Sequence, residues 1–63
     1  MTPIYPGAIV RHPAYSKPGA VLTVAYDWRR QPSMAVVAFT IGGHVQRRDV
    51  WVADLTPVAV EAA

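Results

Sequence analysis

Arginines next to aromatic rings carry most of the chemistry this chain offers: Trp28-Arg29-Arg30, Arg47-Arg48 with Trp51, and Tyr15 with Lys17. Guanidinium and ammonium groups neutralise phosphates, and exposed rings stack on unpaired bases. If three loops bring these groups to one end of the molecule, Lys17, Arg29, Arg30, Arg47 and Arg48 form a site for single-stranded nucleic acid, RNA or DNA. Net charge speaks against making this the first reading. Six Lys and Arg stand against four Asp and Glu, and the resulting +2 is too small to establish a nucleic-acid surface alone. Asp27, Asp49 and Asp54 lie close to the arginines and offset them.

Catalytic patterns are weaker. His12 and His44, the only imidazoles, are 32 positions apart, and the chain has no cysteine to join them in a metal site. Ser16 and Ser33 sit in proline-flanked loops rather than on a strained strand-to-helix elbow. No helix follows a glycine pair, so no phosphate-cradling loop is expected. The sequence therefore predicts no catalytic residue, no metal and no cofactor.

The elements that position these residues are short strands. Six prolines and four glycines leave no window of helical length, while Val, Ile, Thr and aromatics fill the gaps. Met1 to Pro6 is expected to be extended. A first strand spans about Gly7 to His12, with Ala8 and Val10 on one face and Ile9 and Arg11 on the other. After the loop His12 to Pro18, a second strand runs from Gly19 to Asp27. A polar loop ending at Ser33 precedes a third strand, Met34 to Ile41. Gly42-Gly43 suits a two-residue turn with positive φ at both positions. A fourth strand is placed at His44 to Arg48, a 3₁₀ step near Asp49 to Val52, a last strand near Asp54 to Val58, and a frayed tail from Ala59 to Ala63.

Alternation assigns Leu22, Val24, Tyr26, Val37, Phe39 and Ile41 to the interior. Val21, Ala25, Met34, Val36 and Ala38 then point outward, with only Thr23 and Thr40 polar among them. Sheets that face water usually alternate with polar residues. A dry outer face marks an interface. Its alternative cover is the chain's own terminal segments. The composition agrees: 52% hydrophobic against 16% charged residues, where an ordinary domain carries roughly 25% charged. At 63 residues without disulfides, good packing or self-association must supply stability. No stretch approaches a membrane span and no signal peptide is visible, so a soluble cytoplasmic protein with no membrane partner is expected.

Pro6-Gly7-Ala8-Ile9-Val10-Arg11 leading to Pro18-Gly19-Ala20-Val21, with the closing Asp54-Leu55-Thr56-Pro57-Val58, resembles the SH3-like small β-barrels of the KOW and Tudor type. The resemblance covers about residues 6 to 58. It implies an all-β, five-stranded SH3-like barrel forming a single domain, with a short 3₁₀ turn before the last strand. KOW-like barrels often contact RNA. Barrels of this class also place loop aromatics in grooves for extended peptides, with Tyr15, Trp28 and Trp51 as candidates and Asp27 available to a basic group. Gly43-His44-Val45-Gln46 is similar to the substrate-contacting segment of the type II dihydrofolate reductases, which are tetramers around a pore. Here Arg47-Arg48 replaces the Ile-Tyr that follows the glutamine in that family.

The sequence thus predicts a non-enzymatic interaction module that binds a protein partner or itself. Its interface is Val21, Met34 and Val36 with Tyr15, Trp28 and Trp51. Nucleic-acid binding is the alternative and a reductase-like oligomer the distant one. The chain's size would suit a phage accessory protein.

Overall fold

Four residues join the two outermost strands of the sheet, and that short link shapes the molecule. The computed structural model describes residues 4–58. The elements are β1 (Ile9–Arg11), β2 (Gly19–Tyr26), β3 (Pro32–Ile41), β4 (His44–Trp51), a 3₁₀ turn (Val52–Asp54) and β5 (Thr56–Pro57). They form one antiparallel sheet in the order β4-β3-β2-β1-β5. In a flat sheet β4 and β5 would lie roughly 19 Å apart, at about 4.8 Å per strand spacing. The path from Trp51 to Thr56, shortened by the 3₁₀ turn, reaches only roughly 14 Å. The sheet therefore curls toward its inner face. No ladder joins β4 to β5 among the described residues, so the sheet is curled but open.

The curl creates an interior that one sheet would otherwise lack. Ile4, Ala8, Val10, Val21, Ala35, Val37, Phe39, Val50 and Leu55 form the core, with Tyr15, Val24, Ile41 and Val52 packed against it. Gly19 is where the walls come closest: a Cβ there would stand 2.7 Å from side-chain atoms of both Phe39 and Val37.

β1 alternates as expected, but β2 does not. Val21 pairs with Val37 and Thr23 with Val36, leaving Leu22 as an extra residue on β2. Such a bulge reverses the inward and outward assignment beyond it. Ahead of the bulge the faces run opposite to those expected: Val21, expected on the outer face, is a core residue at 2% exposure, and Leu22, the extra residue, expected inside, is 42% exposed. Val24 turns inward past the bulge. Tyr26, also expected inside, lies where the ladder ends against Pro32 and is 58% exposed. A second irregularity leaves Ser33 unpaired on β3, next to Pro32, which has no N–H to donate.

Three local expectations also change. Tyr5 to Ala8 is a turn rather than extended chain, closed by a 3.0 Å bond from the Ala8 amide to the Tyr5 carbonyl, with Gly7 at φ +93°. Pro then Gly at the two central positions is the type II pattern. β4 runs on through Asp49 to Trp51 because β3 offers it an eight-residue ladder, from Met34 to Ile41. The 3₁₀ turn accordingly starts at Val52 and the last strand shortens to two residues. The expected tail Ala59 to Ala63 lies outside the described residues. Among those described, no helix is long and apolar enough to cross a membrane.

Gly19→Ala is expected to lower stability by about 2 kcal/mol or more, since added core volume meets two packed side chains and a backbone oxygen. Urea denaturation checks this; an unchanged midpoint would contradict the close approach.

Candidate functional site

β3 pairs on both sides, so its outward residues define a continuous outer surface. Three rows cross the sheet there: Ile9, Ala20, Ala38 and Arg47; Thr23, Val36 and Asp49; Ala25, Met34 and Trp51. A shallow depression of about 210 Å³ opens among Thr23, Ala25, Met34, Val36 and Asp49. Trp51, 58% exposed, stands at one rim, and Val45, 73% exposed, extends the surface along β4. The dry face expected from sequence is thus present with Met34, Val36, Ala25 and Ala38, and without Val21. Val45 was missed because the outer-face reading stopped at β3. Its signal was alternation after the glycine turn: Val45, Arg47, Asp49 and Trp51 all point outward.

β4 edges the sheet and has a definite backbone polarity. Gly42 and Gly43 have φ of +59° and +82°, which makes the β3–β4 connection a two-residue primed turn. Ile41 and His44 flank it as a hydrogen-bonded pair. Even-numbered residues of β4 therefore direct their N–H and C=O toward β3, and Val45, Arg47, Asp49 and Trp51 direct theirs to the open edge. The Arg48 guanidinium donates 3.0 Å to the Arg47 carbonyl and also to Gln46 Oε1.

The five basic residues do not gather at one site. Arg47 and Arg48 were expected at the end of the fourth strand, joining the loop groups at one site, but as neighbours within a longer strand they face opposite sides. Arg47 lies on the outer surface and Arg48 on the inner side opposite Val37. Trp28, Arg29 and Arg30 occupy the β2–β3 loop, the same end as Trp51. Tyr15 and Lys17 belong to the β1–β2 loop at the other end of β2, an eight-residue strand roughly 25 Å long.

Each loop has an internal cause for its shape. His12 to Tyr15 is a turn, closed by Tyr15 N–H donating 3.1 Å to the His12 carbonyl, while His12 Nδ1 accepts from the Ala14 amide. The turn stacks the Tyr15 ring on Phe39, with centroids 4.3 Å apart and planes at 27°. Tyr15 thus caps the core, and only part of it reaches solvent. A broader hollow of about 570 Å³ lies beside it among Arg11, His12, Pro13, Tyr15, Asp54 and Thr56.

In the β2–β3 loop, Asp27 Oδ1 accepts from the amides of Arg29 and Gln31, at 2.8 and 3.0 Å. Asp27 organises its own loop with that oxygen, a role that its place at the loop entrance signals. Arg30 takes φ of +61°, a conformation usually given to Gly or Asn. Trp28 at the tip is 84% exposed, and the Arg29 guanidinium carbon lies 4.6 Å from its ring centroid. This is a cation–π contact.

Gln46, the side chain shared with the reductase segment, is half-buried on the inner side opposite Phe39 and accepts from Arg48. Among the described residues, no group of three or more His, Asp or Glu is placed to hold a metal ion. No protein-family model, curated protein or solved structure matches the chain at a significant level.

Arg30→Gly should stabilise the fold by about 0.5 kcal/mol, because relief of the left-handed strain exceeds glycine's greater chain entropy. Thermal or urea unfolding reads the sign, and a loss of stability would show that Arg30 makes a compensating contact.

Proposed function

We propose that the protein is a small, non-catalytic interaction module that binds a protein partner, or a second copy of itself, through the outer face of its curled sheet. The observation that carries this reading is the apolar band Ala25, Met34, Val36 and Ala38, bounded by Trp51 and interrupted on β4 only by Arg47 and Asp49. Water-facing antiparallel sheets normally place polar side chains at such positions. A contiguous apolar band of this kind favours a protein as occupant.

The curled meander is best read as an SH3-like barrel left open along one side. A seven-residue loop before β2, a polar loop before β3, a tight glycine turn and a 3₁₀ step before β5 support that reading. Of the residues expected at the interface, Met34, Val36 and Trp51 belong to the outer face. Trp28 stands at its end, Tyr15 serves mainly as a core cap, and Val21 belongs to the core rather than to this face.

One observation favours a second reading. Trp28 with Arg29 stacked on it, followed by Arg30, is a platform suited to an unpaired base and its phosphate. The division of Lys17, Arg47 and Arg48 among three surfaces leaves that platform small, so nucleic-acid binding ranks below protein binding. Reductase-like activity has the least support, since Gln46 is engaged with Arg48 and the matching segment ends there.

Val36→Lys is expected to leave the unfolding midpoint nearly unchanged while weakening association at least tenfold, as read by sedimentation at micromolar concentration. A strictly monomeric parent whose variant is equally stable and soluble would overturn the self-association half of the reading. Salt-dependent binding of a single-stranded oligonucleotide that quenches Trp28, unaffected by Val36→Lys, would favour the loop platform instead.

A further inference from the structure

The open edge of β4 has a sequence that is complementary to itself. Its outward side chains, Val45, Arg47, Asp49 and Trp51, are arranged evenly about Arg48. Laid antiparallel against a second copy with Arg48 at the centre, Arg47 stands opposite Asp49 of the copy, and Asp49 opposite its Arg47. Val45 and Trp51 meet in the same way at the two ends. Opposite charges and aromatic–β-branched pairs are the favourable cross-strand combinations.

Backbone chemistry selects the same register. Val45, Arg47, Asp49 and Trp51 are the residues whose N–H and C=O face the edge, and this register sets them against one another as hydrogen-bonded pairs. About eight backbone bonds result. A slip of one residue would set the outer face of one copy against the inner face of the other. A slip of two places Arg47 against Arg47, or Asp49 against Asp49. β5, at the opposite edge, has only two residues and offers no comparable strand.

We propose that two copies of this chain associate through antiparallel β4–β4 pairing centred on Arg48, extending the two sheets into one. This rests on the reading of the outer surface as an interface and adds to it a second copy at its β4 rim, beside the apolar band rather than over it. The pairing aligns the two apolar bands along one doubled surface and gives a closed two-fold arrangement. The Arg47 carbonyl, which accepts from its own Arg48 guanidinium, has a second lone pair for the partner amide. Arg48 opposite its copy is a like-charge contact that opposes pairing, so Arg48→Gln should strengthen association.

The chain has no cysteine, so a single introduced thiol reports the register directly. Positions 48 of the two copies form a close, non-hydrogen-bonded pair, a geometry that a disulfide can bridge. Positions 46 are then four residues out of register, roughly 13 Å apart. Under mild oxidation, Arg48→Cys should give a covalent dimer with native β signal, and Gln46→Cys should not. Arg47→Asp and Asp49→Arg should each weaken the dimer at least tenfold, and the double swap should restore it. Because both charges are exposed, these variants test the pairing even if Arg48→Cys fails to fold. Equal cross-linking at 46 and 48, or charge swaps without effect on a measurable dimer, would overturn the proposal. If Val36→Lys abolishes association while position 48 never cross-links, the outer-face reading stands and edge pairing falls. A parent that stays monomeric at millimolar concentration overturns the proposal outright.

Discussion

The structure depends on a link too short for a flat sheet. Trp51 ends one edge strand and Thr56 begins the other, with four residues between them, three of them in a 3₁₀ turn. Curling is the only way to join those edges, and it gives a single sheet an inside. Phe39, Val37 and Val10 lose all contact with solvent as a result. Gly19 then becomes necessary, since the curled walls leave no room for a β-carbon. A chain of this size has few other means of burying apolar surface.

Making an inside also makes an outside, and the outside is where function is proposed to lie. The outer band holds Ala, Met and Val where water-facing strands carry polar groups. β4 bounds that band with charges of both signs and a backbone edge left open by the geometry of the glycine turn. Face and edge belong to one surface. Partner binding through either draws on the same alternation along β3 and β4.

Much of the strand pattern was legible. Proline and glycine spacing marked the breaks, Gly42-Gly43 marked the turn, and the uninterrupted alternation of β3 separated Val37 and Phe39 from Met34 and Val36. The faces of β2 were not legible. Val21, Leu22, Thr23 and Val24 have similar strand preference, and nothing in their types shows that Leu22 is the extra residue. A bulge of one residue shifts the alternation between its two sides, so the phase that rightly turns Val24 inward puts Val21, ahead of the bulge, on the wrong face. Asp49 looked like the end of a strand, yet the length of β3 carries the ladder past it to Trp51. That extension changes the candidate site most, because it holds Arg47 and Arg48 inside a strand, on opposite faces, instead of at a strand end beside a loop. The loops were legible as polar connections, but their ends were not: Tyr15 reads as a free aromatic until its turn folds it onto Phe39.

What most needs testing is whether the open edge of β4 is covered by a second copy in the working state of the protein. Residue-resolved amide hydrogen exchange across a range of protein concentrations tests it most directly. The amides of Gln46, Arg48 and Val50, which face β3, are expected to be protected at every concentration. Those of Val45, Arg47, Asp49 and Trp51 should exchange freely in dilute solution and become protected as concentration rises. Exchange at those four amides that stays fast and independent of concentration, with or without partner, would contradict it.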